Sequence, residues 1–183
     1  MSLIDVLKEV PDFRKSRGQR HPLWVVLVMM IMGNLAGYHG NRPLGEFAQR
    51  YGAQIAQLLE VELPSVPSYS TFRRVSNGLD FMALSHGFSQ WMRTHLSLDE
   101  VAYAVDGKRI CQPIDGDDGK TRFVGLVSVF GHHQGISAAV AAMSEQENSE
   151  LTVVQQLMEA LGLRGVLLSL DALHTQKNAQ GHP

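Results

Sequence analysis

The chain has 183 residues, 44% of them apolar, with 16 Lys and Arg against 18 Asp and Glu for a formal net charge of −2. That apolar content at this length supports one large core or two small ones and excludes a disordered tail, while the near-neutral charge removes any global argument for a polyanionic partner. The single cysteine, Cys111, excludes an internal disulfide and a multi-cysteine zinc site and fits a reducing cytosol.

The opening segment places Asp5, Lys8, Glu9 and Asp12 in a helical pattern and lacks the basic-then-apolar layout of a signal peptide. Arg14, Lys15, Arg17 and Arg20 follow as a basic cluster on an expected mobile connector, a candidate for non-specific, salt-sensitive phosphate contact. Residues 23–32 are apolar for ten positions before Gly33 and Asn34. Crossing a bilayer takes about 20, so this run predicts a buried core helix and a soluble, cytoplasmic protein without a membrane segment.

From Leu44 the apolar positions 44, 47, 48, 51, 55, 58 and 59 mark one helix face, closed by Pro64 and Pro67. Ser70 and Thr71 are N-cap candidates for a second helix. A third helix runs from about Asp80, with Phe81, Leu84, Phe88, Trp91 and Met92 on one side. Arg73 and Arg74, early in the second helix, read either as DNA phosphate contacts on a recognition helix or as a solvated face. Residues 1–97 are thus expected to form an all-helical domain.

The periodicity changes near Asp99. Residues 101–105 predict a short strand stopped by Asp106-Gly107. Residues 122–130 and 136–143 predict two more, joined by a loop short enough for an antiparallel hairpin. Ser149 caps an expected helix reaching about Leu161, Gly162 and Gly165 end it, and residues 166–170 form a fourth strand running into Asp171. The expected fold class is α+β, an all-helical N-terminal domain followed over residues 98–183 by a mixed α/β sheet.

The acids at the tips of the first and fourth strands are the main chemical signal. With those strands adjacent and parallel, Asp106 and Asp171 emerge at neighbouring C-terminal ends, where open α/β sheets place their sites, as in a ribonuclease H-like fold. Two carboxylates brought together repel, and a divalent cation relieves the repulsion. Mg²⁺ accepts one or two carboxylates and completes its shell with water and phosphate oxygens; a pair of such ions about 3.5–4 Å apart clamps the attacking and leaving oxygens of a phosphoryl displacement. Taken singly, Asp106 also reads as part of an Asp-Gly turn and Asp171 as a helix N-cap.

Other motifs carry less. Asp115, Asp117 and Asp118 suggest a calcium loop, but Lys120 and Leu126 occupy positions where an EF-hand needs Gly and Glu, so a polar turn is expected. His132 and His133 lack a third ligand at metal-site spacing and read as loop histidines. No Gly-rich phosphate loop followed by Lys-Ser/Thr is present, which argues against an NTPase.

The segments Val105-Asp106-Gly107-Lys108, Asn148-Ser149-Glu150-Leu151 and Leu170-Asp171-Ala172-Leu173-His174-Thr175-Gln176-Lys177 resemble, in order and spacing, the H-repeat-associated insertion-sequence transposases of the DDE type, a group linked to bacterial Rhs elements. In the front half, Pro11-Asp12-Phe13-Arg14, the entry from Pro22 to Leu27, and Pro67-Ser68-Tyr69-Ser70-Thr71-Phe72-Arg73-Arg74 resemble the helical region preceding that group's catalytic domain.

The resemblance implies that Asp106 and Asp171 are the first two catalytic carboxylates, holding Mg²⁺ or Mn²⁺, and that Lys108 and Arg109 contact phosphate. Glu150 matches an acid of the group but precedes the fourth strand, so it is expected as a helix first-turn charge rather than the third ligand. The group continues through a Lys-Gly-Asn-Gln segment to a helix bearing the catalytic Glu, neither of which is present in this sequence. The expectation is therefore an incomplete ribonuclease H-like domain and a truncated, inactive transposase, with a non-catalytic DNA-binding or regulatory remnant as the alternative. Implied partners are DNA at transposon ends and a second copy or full-length transposase, with a nucleoid-associated location. The fourth strand is expected as an open edge.

Overall fold

The computed structural model describes residues 2–95, 102–115, 121–133, 135–144, 150–162 and 164–170. The chain divides after Leu84 into two compact units. No helix among the described residues is long and apolar enough to cross a membrane.

The first unit is helical. Helix α1 (Leu3–Glu9) opens on a reciprocal cap: Ser2 Oγ accepts from the Asp5 backbone N–H and the Asp5 carboxylate accepts from the Ser2 N–H. Helix α2 (Leu23–Leu35) begins behind Pro22 and is the expected core helix, with Val25, Val26 and Met29 fully buried. Helix α3 (Asn41–Leu58) starts three residues before the apolar stripe. Its Leu44, Phe47, Ala48 and Ile55 are buried, whereas Tyr51 and Leu58 of the same stripe are exposed. One continuous core joins α1, α2, α3 and α4 (Tyr69–Gly78) through residues such as Leu7, Met29, Phe47, Phe72 and Val75.

The start of α4 corrects the expected cap. Ser68, not Ser70 or Thr71, is the capping position: its backbone is extended and its carbonyl accepts from the N–H groups of Thr71 and Phe72. Ser70 and Thr71 are already helical, and their hydroxyls lie within hydrogen-bond distance of Ser68 Oγ at 2.9 and 3.5 Å. Helix α5 (Phe81–Arg93) is entered as expected at Asp80, whose carboxylate accepts from the Ala83 N–H at 3.0 Å. Its buried line is Ser85, Ser89 and Met92, while Leu84, Phe88 and Trp91 are half-buried and Phe81 is exposed. Ser85, the first residue of the second unit, donates from Oγ to the Val140 carbonyl of the same unit.

The second unit holds a mixed sheet. Strand β1 is Ala102–Asp115, β2 is Thr121–Gly131, β3 is Ile136–Ser144, helix α6 is Glu150–Leu161 and β4 is Leu167–Leu170. The strand order is β3-β2-β1-β4, antiparallel across β3-β2-β1 and parallel between β1 and β4. Tyr103, Val105, Val127, Val129, Ala139 and Ala141 pack with Val153, Val154, Leu157 and Leu161 of α6. Gly162 and Gly165 both adopt positive φ, the left-handed conformation that glycine tolerates where a helix ends.

One strand boundary differs from expectation. Asp106-Gly107 does not stop β1, which runs on to Asp115, paired with β2 in one register from Tyr103↔Gly131 to Ile110↔Val124 and in a shifted one at Ile114↔Arg122 and Asp115↔Thr121. Since β2 offers ladder partners along that length, an Asp-Gly pair is carried through as ordinary paired residues, Asp106 opposite Ser128 and Gly107 opposite Val127.

Candidate functional sites at the sheet edge and on helix α4

The parallel pairing of β1 with β4 runs from Ala102↔Leu167 to Val105↔Leu170. The residue following Val105 is Asp106, and the residue following Leu170 in the sequence is Asp171, which lies outside the described residues. Tyr103 and Val105 are buried, so strand alternation puts Asp106 and Lys108 together on the opposite face, both exposed. The Asp106 carbonyl accepts from Ser128 Oγ at 3.4 Å. No ion pair engages the Asp106 carboxylate among the described residues, and no group of three His, Cys, Asp or Glu there has metal-binding spacing. Arg109 is described through its backbone, opposite Gly125. Glu150 is the first residue of α6, in the helix first turn. His132 is exposed and its Nε2 lies 3.2 Å from Ser169 Oγ on β4.

A second constellation lies in the helical unit, and its scaffold corrects the reading of the first basic cluster. Arg14 is buried rather than presented on a mobile connector. Its Nε and one Nη donate to the two carboxylate oxygens of Asp12 at 2.8 and 2.7 Å, and that Nη also donates to the His21 carbonyl at 2.8 Å. The guanidinium holds the Asp12 carboxyl below its ordinary value through that paired hydrogen bonding. His21, itself buried, donates from Nε2 to the Ser65 carbonyl at 2.9 Å. Burial pushes the His21 pKa below 6.5, since the charged imidazolium would lose its hydration, and the Ser65 contact opposes this only in part. Arg14 is consumed by structure. Its second Nη is buried and unpartnered.

This network ties the segment bearing Phe13 to the segment leading into α4. The result is an open cleft of about 490 Å³ lined by Phe13, Tyr69, Ser70, Arg73, Arg74, Asn77 and Gly78. Close packing fixes its walls. A Cβ added to Gly45 of α3 would meet the Tyr69 backbone nitrogen at 3.0 Å, and one added to Gly78 would overlap the Phe13 ring. Phe72 and Val75 anchor the opposite face of α4 in the core, leaving Arg73 and Arg74 exposed. Among the lining residues two are arginine and none is acidic. The sequence reading identified Arg73 and Arg74 but not Phe13, Tyr69 or Asn77 as their companions. The available signal was that Pro11-Asp12-Phe13-Arg14 and Pro67-Ser68-Tyr69-Ser70-Thr71-Phe72-Arg73-Arg74 both carry the front-half resemblance, and both reach this cleft.

Comparison with known proteins bears on both constellations. The family model described as DDE_Tnp_1-associated matches residues 4–92. Over 178 residues the chain is 25% identical to the putative transposase YncI of Escherichia coli O157:H7, covering 97% of this chain and 45% of that protein. It is 24% identical over 179 residues to the H repeat-associated putative transposase YhhI of Escherichia coli K12, covering 96% of this chain and 46% of that protein. The chain is thus similar to putative transposases over nearly its whole length. The related H repeat-associated putative transposase YbfD is 24% identical over 179 residues, with 69% of its length covered. The chain thus spans a little under half of YncI from O157:H7 and of YhhI. No solved structure matches.

The cleft lies within the matched region, residues 4–92, and Asp106 follows it.

Proposed function

We propose that this chain belongs to a DDE-type DNA transposase, with Asp106 and Asp171 as two carboxylates of a divalent-metal site and the α4 face as a DNA-contacting surface. The observation that carries the metal reading is the parallel β1–β4 pairing ending at Val105↔Leu170, directly before both acids in the chain. Its strand order, β3-β2-β1-β4, agrees with a ribonuclease H-like sheet. Asp106 suits a hard cation: it is an exposed oxygen donor without an ion pair among the described residues. When bound, Mg²⁺ or Mn²⁺ would supply activation of the attacking oxygen and stabilisation of the leaving one.

In this reading the chain's own groups bind and orient. Asp106, held by the β1–β2 ladder, would provide a fixed carboxylate at the sheet edge. Lys108, exposed on the same face two residues on, would contact phosphate, and Arg109 is the second basic candidate. Arg73 and Arg74 would hold DNA backbone through charge-assisted hydrogen bonds, with the salt sensitivity such contacts carry. Asp106 and Asp171 by themselves would hold a metal ion weakly, so DNA binding is the activity expected of residues 1–183.

The test is binding and cleavage of a labelled transposon end of the family by the full chain, with Mg²⁺ or Mn²⁺, beside Asp106→Asn and Asp171→Asn. Salt-dependent binding without cleavage is expected. Cleavage by the unaltered chain that is abolished in both variants would keep the metal assignment and show that the two carboxylates act in catalysis. Cleavage unchanged in both would overturn the assignment, and absence of DNA binding at low salt would overturn the interface.

A further inference from the structure

The cleft on α4 has a composition that phosphate contact alone does not explain. Two aromatic side chains, Phe13 and Tyr69, stand partly exposed at 43% and 50% in the same concavity as Arg73, Arg74 and the amide of Asn77. Phe13 is far from α4 in sequence and is brought there by the Asp12–Arg14–His21–Ser65 network, with Arg14 and His21 buried at its centre. Its ring rests against Gly78, where any larger residue would displace it. Exposed aromatic rings beside arginines are the combination that holds unpaired nucleic acid, where ring faces stack on bases and guanidinium groups hold the backbone.

We propose, resting on the DNA-binding reading above, that this cleft receives an unstacked nucleotide of a DNA strand, such as one at a frayed or processed end. The base lies against Phe13 and Tyr69, Arg73 and Arg74 hold the adjoining phosphates, and Asn77 can donate to or accept from the base edge. An intact duplex does not offer this contact, because both faces of each internal base are covered by its neighbours. A surface for duplex alone would need the arginines but gain little from recessed aromatic rings.

The test measures binding of a single strand, a blunt duplex and a duplex carrying one unpaired nucleotide, by fluorescence anisotropy over a series of salt concentrations. The full chain is compared with Phe13→Leu, Tyr69→Leu, Gly78→Ala and Arg73→Gln. The expected result is a preference for the unpaired substrates. Phe13→Leu and Tyr69→Leu should each weaken that binding about tenfold, leaving its salt dependence and the duplex affinity unchanged. Gly78→Ala, which moves the Phe13 ring without removing a polar group, should act in the same direction. Arg73→Gln should reduce the slope of log affinity against log salt by about 0.7 on single strands. Circular dichroism confirms that each variant is folded. Equal affinity for all substrates, insensitive to the aromatic substitutions, would overturn the nucleotide cleft while leaving DNA binding intact. No binding to any substrate would overturn both.

Discussion

The helical unit closes around its own core, while among the described residues β4 lies at one edge of the second unit's sheet. In the first, α1 to α4 share one set of buried residues, with Phe72, Val75 and Met29 fully enclosed. In the second, β4 is one of two edge strands of the sheet among the described residues, four residues long, with Leu167 71% exposed. An unpaired strand edge is a template for another strand, whereas a closed helical core is not. The helical unit therefore has the means to hold a shaped cleft by itself, and the candidate metal edge sits where the β1–β4 pairing ends.

The largest effect that would sharpen this contrast is Phe72→Ala, which removes a fully buried ring from the helical core and should cost about 3–5 kcal/mol in chemical denaturation. A loss below about 1 kcal/mol would mean that the core is not continuous there. Asp12→Ala should cost about 2–3 kcal/mol, because it strands the buried Arg14 charge; the effect falls short of a fully buried pair since Asp12 remains partly exposed. The same variant should loosen Phe13 and weaken the cleft.

The pH effect is smaller and has a definite sign. His21 has its pKa lowered from 6.5 by burial, so the unfolded chain takes up the proton first as pH falls. The stabilisation from neutral His21 is fully present above 6.5 and is lost as pH drops toward the folded-state value. Denaturation midpoints should fall from neutral to mildly acidic pH, and His21→Gln should flatten that dependence. An equally steep dependence in the variant would remove His21 as its source. Smallest is Leu167→Lys, expected to change stability by no more than about 0.5 kcal/mol while reducing concentration-dependent association in sedimentation. Unchanged association would place the contact away from β4.

The periodicity of residues 23–32 and the three later strands were legible because their apolar patterns coincide with local propensity. The Asp-Gly boundary was not, since pairing with β2 overrides the turn preference of Asp106-Gly107 and only tertiary context supplies the partner. Arg14 and Arg73 illustrate the same limit at the level of charge. Both sit beside further basic residues in the sequence, yet Asp12 and the His21 carbonyl enclose one while the buried Phe72–Val75 face of α4 turns the other outward. Phe13 joins Tyr69 through hydrogen bonds spanning residues 12 to 65, a separation that no local pattern records.

The most direct test of the metal reading is Mn²⁺ binding to the full chain, followed by electron paramagnetic resonance, with Asp106→Asn and Asp171→Asn as comparisons. Weak binding that declines in each variant, and no further in the double variant than loss of one shared site requires, is the result expected. Binding of the same strength in all four proteins would contradict the assignment of Asp106 and Asp171 to a common metal site.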